Sequence, residues 1–293
     1  MAFPTTSPPS FSSAWQISLQ NSQNTSGLIL GLGTAYGVSQ IDGIGAPVIE
    51  TSDGSRPRDQ GDLVGLDFLA GRDMVLTGDV VSDGTSLQHA IEQLALVTTP
   101  ILGYGGVEYP MWINMPNLVS AGTNTPMASM VRCRKRDIPF DLGFSVGYAT
   151  FALQMSSTDP RFYGAPITNT QINTGGLSSI AVSVTNGGNY ETRPVVTVTG
   201  PIASGFTIIA SGASTGSLTV NKALAAGDTL VVDTDLHTAQ FTHSGVTTNA
   251  RAALGTSPTW WTTNPGTTSI ALAGSSLTTA TSIAANYSPA WIF

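Results

Sequence analysis

Short runs of alternating apolar and small polar residues fill the chain between residues 180 and 272. Ile180-Ala181-Val182-Ser183-Val184 is the clearest, followed by 195–199, 206–209, 217–220, 229–232, 239–242 and 269–272. A period of two puts alternate side chains on opposite faces of an extended chain, which predicts half-buried strands. The runs are rich in Val, Ile and Thr and are separated by Gly, Pro, Asn or Asp. About eight strands at spacings of roughly 8–12 residues predict a β-sandwich or jelly roll. Two turn signals stand out, Asn186-Gly187-Gly188-Asn189 and Ala226-Gly227-Asp228.

The first half has a different pattern. Leu87, Ala90, Ile91, Leu94 and Ala95 recur at helical spacing and predict one helix over 86–98. Thr85 with Gln88 reads as its capping box and Pro100 as its stop. The remainder alternates or turns, over 74–76 and 78–81, then 144–148 and 151–155. One helix packed on a sheet is an α+β arrangement, so the whole chain is expected to be mainly β.

Charge divides the 293 residues. Residues 1–165 hold eight basic and fourteen acidic side chains, whereas 166–293 hold three and four. This step predicts two domains, 1–165 and 166–293, meeting near the turn Gly164-Ala165-Pro166. Charged residues are only 10% of the chain, and the net charge is −7. That argues against a nucleic-acid partner, since phosphate affinity rests on clustered Lys and Arg. It also argues against a disordered chain. A single cysteine, Cys133, excludes a disulfide scaffold. Residues 1–9 lack the basic start and apolar core of a secretory signal, which points to folding in a cytosol. The longest apolar stretch, 27–38, is about half a membrane span, so no membrane insertion is expected.

Candidate chemistry is sparse. Gly31-Leu32-Gly33-Thr34-Ala35-Tyr36-Gly37 approaches a dinucleotide fingerprint, but its third glycine is one residue late and no βαβ unit follows. Glycines that let two backbones pass closely are the simpler explanation. His89 reads as a half-buried packing residue. His237 and His243 flank a strand near Asp233 and Asp235; they could converge on a metal, or the aspartates could simply form the turn. Cys133 lies among Arg132, Arg134, Lys135 and Arg136, which could lower its pKa, but no histidine stands nearby to make it a nucleophile. No G-x-S-x-G or H-E-x-x-H motif is present. No cofactor is expected, and the chain is expected not to be an enzyme. Trp260-Trp261 could be a sugar-stacking platform or could plug one end of a sandwich, one ring inward and one outward.

Several segments carry a resemblance. Residues 65–78, with Gly71-Arg72 and Gly78, look like a segment of siphovirus tail-tip proteins. The capped helix and the basic strand 131–136 follow in order. Gln154-Met155-Ser156-Ser157-Thr158-Asp159-Pro160-Arg161-Phe162-Tyr163 then resembles the end of the N-terminal domain of distal tail proteins of long-tailed bacteriophages. In the second half, 186–200, 224–234 and Trp260-Trp261 with Pro265-Gly266 are similar to that family's strand pair, turn and closing segment. Together these cover about residues 60–293. Residues 1–60 match nothing, and Thr268 stands where Asn is common.

The resemblance implies a structural virion protein at the tail tip, assembled in the cytoplasm of the host bacterium. It implies an N-terminal belt domain closing a ring, usually a hexamer, and a C-terminal galectin-like or jelly-roll domain projecting outward. The implied partners are other copies of the chain, the tail tube protein above and the baseplate hub below, with the tape measure and receptor-binding proteins further candidates. Arg132, Arg134 and Arg136 would share one strand face and either seal neighbouring subunits or stay a solvated face that meets only water and acids of its own chain. The alternative is a carbohydrate-binding tail protein that grips cell-wall glycans through Trp260, Trp261 or Tyr287.

Overall fold

The computed structural model describes residues 3–22, 24–82, 84, 86–99, 107–116 and 125–293. The chain is mainly β, and Leu87–Val97 is the one α-helix among the described residues. It divides into two compact units. One comprises Thr6–Gly164 with Ile292–Phe293; the other comprises Ala165–Trp291 with the first residues of the chain through Thr5.

In the N-terminal unit an antiparallel sheet runs in the order Leu28–Gly31, Gln16–Leu19, Tyr109–Asn114, Met127–Asp137, Tyr148–Ser157, Arg72–Val81, Tyr36–Asp42. Its alternation is legible in Arg72–Val81, where Met74, Leu76 and Val80 are buried. The glycine run 31–37 connects two strands. A Cβ on Gly31 would stand 2.2 Å from the Trp15 carbonyl oxygen, and φ there is +109°, so only glycine fits the crossing.

The helix buries Ala90, Leu94 and Val97. Its cap is Ser86, whose Oγ accepts from the His89 amide at 3.1 Å; Thr85 and Pro100 lie outside the described residues. The exposed carbonyls of the last turn find side-chain donors. Asn21 Nδ2 donates to Leu96 O at 2.6 Å, and Arg136 Nη1 donates to Ala95 O at 3.0 Å and to Thr98 Oγ1 at 2.9 Å. Residues 144–148 do not continue as a strand. Leu142–Val146 is a 3₁₀ turn, because the Asp141 carboxylate accepts from the Gly143 amide at 2.8 Å and Gly147 ends the turn at φ +78°.

The C-terminal unit is a sandwich of two antiparallel sheets. One runs Ile167–Ile172, Ser282–Tyr287, Val195–Thr199, Thr229–Asp233, Thr238–His243, Val246–Asn249; the other runs Ser179–Asn186, Gly266–Ala273, Phe206–Gly212, Gly216–Val220. Val184, Val196, Val198, Ile208, Leu218, Leu230, Ile270 and Ile283 interdigitate between them at 0% exposure. Every run expected from 180–272 lies in one of these strands. Asn186, which opens the first turn signal, is a buried hub. Its amide donates to Tyr190 O at 2.7 Å and Thr263 O at 3.0 Å, and its Oδ1 accepts from the Gly188 and Ala290 amides.

Candidate functional site

The residues that carry the family resemblance in the first half converge on one arginine. Arg72 is only 3% exposed, yet among the described residues no carboxylate pairs with its guanidinium. Nε and Nη2 donate to Pro160 O at 3.1 and 3.0 Å, and Nη1 donates to the carbonyls of Gly43, Ile44 and Gly45, the first at 2.8 Å. The guanidinium lies 4.7 Å from the centre of the Phe162 ring. Burial pulls its pKa below the ordinary arginine value, but an arginine stays charged. Beside it, Tyr163 Oη donates to Asp159 Oδ2 at 2.6 Å and accepts from Arg161 Nη1 at 3.2 Å. Burial, then the Asp159 charge, pushes the Tyr163 phenol well above its usual pKa. The segment 159–163 is thus held by its own side chains, with Asp159 also accepting from the Arg161 amide at 3.0 Å.

Arg72 also fixes the root of an arm. Residues 43–71 leave the hairpin formed by Tyr36–Asp42 and Arg72–Val81 and continue as a two-stranded ribbon. Ile49–Thr51 pairs with Asp67–Leu69, and Gly54–Ser55 pairs with Asp62–Leu63. Side chains help close it: Ser52 Oγ donates to Leu66 O at 2.9 Å and accepts from the Leu66 amide at 2.8 Å, and Asp53 Oδ1 accepts from the Gly65 amide. From Val48 to Phe68 every residue except Gly65 is exposed. Sequence reading missed this arm, since its strands are two or three residues long; six large apolar residues among polar ones, Val48, Ile49, Leu63, Val64, Leu66 and Phe68, were the available signal.

The basic strand differs from its expected geometry. Arg132 pairs with Ser156 and Cys133 with Met155, but the next pair is Lys135 with Gln154, so a bulge falls at Arg134. Opposed residues share a face. Arg132 and Lys135 therefore share one face, and Cys133 and Arg136 share the other; the three arginines do not line up. Arg136 caps the helix of its own chain. Arg132 is half-buried, with Nε enclosed and unpartnered among the described residues. Arg134 is exposed and makes no hydrogen bond or ion pair among the described residues. Burial raises the Cys133 pKa more than the Arg136 charge lowers it, which reverses the expected activation.

The two tryptophans part as a plug does. Trp261 is 4% exposed and belongs to the sandwich core, so it presents no face to a sugar. Trp260 is half-buried. His237 stacks on it at 4.9 Å between ring centres, and the Arg251 guanidinium lies 5.2 Å from the ring centre. An open groove of about 310 Å³ passes Trp260, Ser214, Thr215 and Asn264. Tyr287 is 2% exposed, and its hydroxyl accepts from the Thr185 amide at 3.2 Å. The suspected metal ligands are each engaged elsewhere. Asp233 accepts from the amides of Asp235 and Leu236, Asp235 pairs with Arg193 at 2.7 Å, and His243 Nδ1 lies 2.7 Å from Asp228 Oδ1. Among the described residues no three His, Cys, Asp or Glu side chains converge on a point.

The profile of a family described as the C-terminal domain of siphovirus-type tail components matches residues 187–291. No curated protein matches the chain by sequence. Among solved structures, the Dit protein of phage SPP1, described as a paradigm of the hub adsorption apparatus in phages infecting Gram-positive hosts, superposes with a TM-score of 0.58. It is 17% identical, and the match covers 87% of this chain and 93% of that one. A chain of the phage p2 baseplate in its strontium-bound activated conformation gives a TM-score of 0.50 at 8% identity, covering 92% and 97%. At these identities the likeness is one of fold.

Proposed function

We propose that this chain, a member of the siphovirus-type tail component family through residues 187–291, is the distal tail protein of a phage and acts as a structural adaptor. The N-terminal unit closes a hexameric ring at the end of the tail tube, and the ring serves as a platform for receptor-binding proteins. The tail tube binds one side of the ring and the baseplate hub the other, with the tape measure a further contact. The role is structural and not catalytic. The family match carries this reading; the fold likeness to a hub adsorption protein supports it. The built features agree in kind, since the polar chemistry of Arg72, Asp159 and Asn186 goes into holding backbone and not into an open site.

Electron microscopy of the purified chain tests the reading. A ring with six projecting lobes is expected, and monodisperse monomers at micromolar concentration would refute it. Zymography on host cell walls checks the structural assignment, with no clearing expected. The glycan-binding alternative loses its platform because Trp261 is in the core and Trp260 is already stacked.

A further inference from the structure

We infer that the arm 43–71 docks on the 138–148 turn of a second copy of this chain. The inference rests on the ring reading and says which surfaces close the ring.

Two apolar patches of the N-terminal unit lack cover among the described residues. On the arm, Val48 is 71% exposed, Val64 92%, Leu66 71% and Phe68 60%. A two-stranded ribbon is marginal by itself and gains stability when a third element covers it. The second patch lies on the 3₁₀ turn and its flanks. Phe140 is 84% exposed, Leu142 86% and Val146 80%, and Phe140 stacks on Phe144 at 4.5 Å between ring centres. Exposed apolar groups gathered on one short turn mark an interaction surface.

The register shows why one copy does not satisfy both patches. The arm returns into the sheet at Arg72, opposite Ser157, whereas the turn enters it at Tyr148, opposite Val81. The two roots thus lie at opposite ends of the strand Arg72–Val81, roughly 30 Å apart at about 3.3 Å per residue. A patch at each end of one element is the arrangement that head-to-tail contact needs, because one surface of each copy meets a different surface of the next, and repetition can close a ring.

Charge gives the same pairing. The arm residues 48–68 hold five acids, Glu50, Asp53, Asp59, Asp62 and Asp67, against two arginines. The strand that leads into the turn exposes Arg134 and Lys135, and Arg134 has no partner among the described residues. Lys135 is held by Asp137 at 3.4 Å, so Arg134 is the cation that the strand before the apolar turn offers to the acidic arm, and charge complementarity selects that match over arm-to-arm contact.

Two double variants test this, Leu66→Ser with Phe68→Ser on the arm and Phe140→Ser with Leu142→Ser on the turn. All four positions are exposed, so each variant should melt within a few degrees of the unaltered chain. Light scattering coupled to size exclusion should show each variant alone as a monomer. Association should weaken by about a hundredfold or more for two apolar side chains left uncovered. An equimolar mixture retains one intact junction, the arm of the turn variant on the turn of the arm variant, and should give one-to-one dimers and nothing larger. Val64→Asp is a second arm variant and should also give monomers. Variants that keep the unaltered oligomer, or a mixture that stays monomeric, overturn the docking alone and leave the ring reading standing. An unaltered chain that is monomeric overturns both.

Discussion

Arg72 faces five backbone hydrogen bonds and an aromatic ring while almost fully buried. Its planar fork is the reason lysine cannot replace it, since three rotating donors on a flexible stem do not reach Pro160 and Gly43 together. Arg72→Met leaves the carbonyls of Pro160, Gly43, Ile44 and Gly45 without this donor, and those that water does not reach stay unpaired. Each such group costs about 1–3 kcal/mol, and relaxation recovers part of the sum, so a loss of about 2–4 kcal/mol is expected. Urea denaturation of the whole chain measures it. Asp228 shows a second residue-scale effect. Burial disfavours its charge, but the Ala225 amide, His243 and Lys222 outweigh that and hold its carboxyl below the ordinary value. A depressed carboxyl contributes stability above its unfolded pKa of about 4 and loses it as pH falls through the lower folded value. The unaltered chain should therefore exceed Asp228→Asn in melting temperature at pH 7. The gap should narrow once the pH falls below about 4, and a gap that widens on acidification would remove the carboxylate from this account.

At the scale of elements, the sequence was most legible where one face is buried and the other wet. The sandwich strands 180–184, 195–199 and 229–232 announce themselves for that reason. Ile167–Ile172 and Val246–Asn249 did not. Both are edge strands, exposed along most of their length, and Thr, Asn and Gln on both faces leave no alternation to read. Residues 144–148 alternate but turn, since Asp141 and Gly147 are local signals stronger than the pattern. The bulge at Arg134 is invisible in sequence, because it depends on the register of the partner strand. The C-terminal strand set, with its own core, predicts that residues 165–293 fold as an isolated fragment. That fragment should show a β signature in circular dichroism and one cooperative melt. Within it Trp261→Ala should cost about 3–5 kcal/mol by opening a cavity. Trp260→Ala, whose ring is half outside, should cost markedly less. A broad melt for the fragment, or equal costs for the two tryptophans, would contradict this account of the core.

For the whole molecule, the sequence resemblance points to the same family whose profile matches residues 187–291, while the surfaces on which the proposed ring would close are not legible in it. The arginine cluster was visible as a cluster, but its three members do different work. Arg136 closes the helix of its own chain, Arg132 is half enclosed, and Arg134 alone extends freely from the bulge. Arg134 is therefore the member that can meet a neighbouring copy. Bidentate geometry suits it to a carboxylate, and the acidic arm supplies candidates. Reversal to Glu separates the possibilities by magnitude. A residue that stays in water costs about 0–1 kcal/mol when altered, too little to open a ring. A charge buried against an acid in an interface costs several kcal/mol when its sign is reversed, because two like charges are then held together away from solvent. The expected result for Arg134→Glu is a folded monomer, unchanged in circular dichroism. The proposed rings of the unaltered chain should also loosen as salt rises, since partly exposed ion pairs are screened over about 8–10 Å near physiological ionic strength. Intact Arg134→Glu rings at both low and high salt would show that apolar contact alone closes the assembly and that the basic strand is only a solvated edge of it.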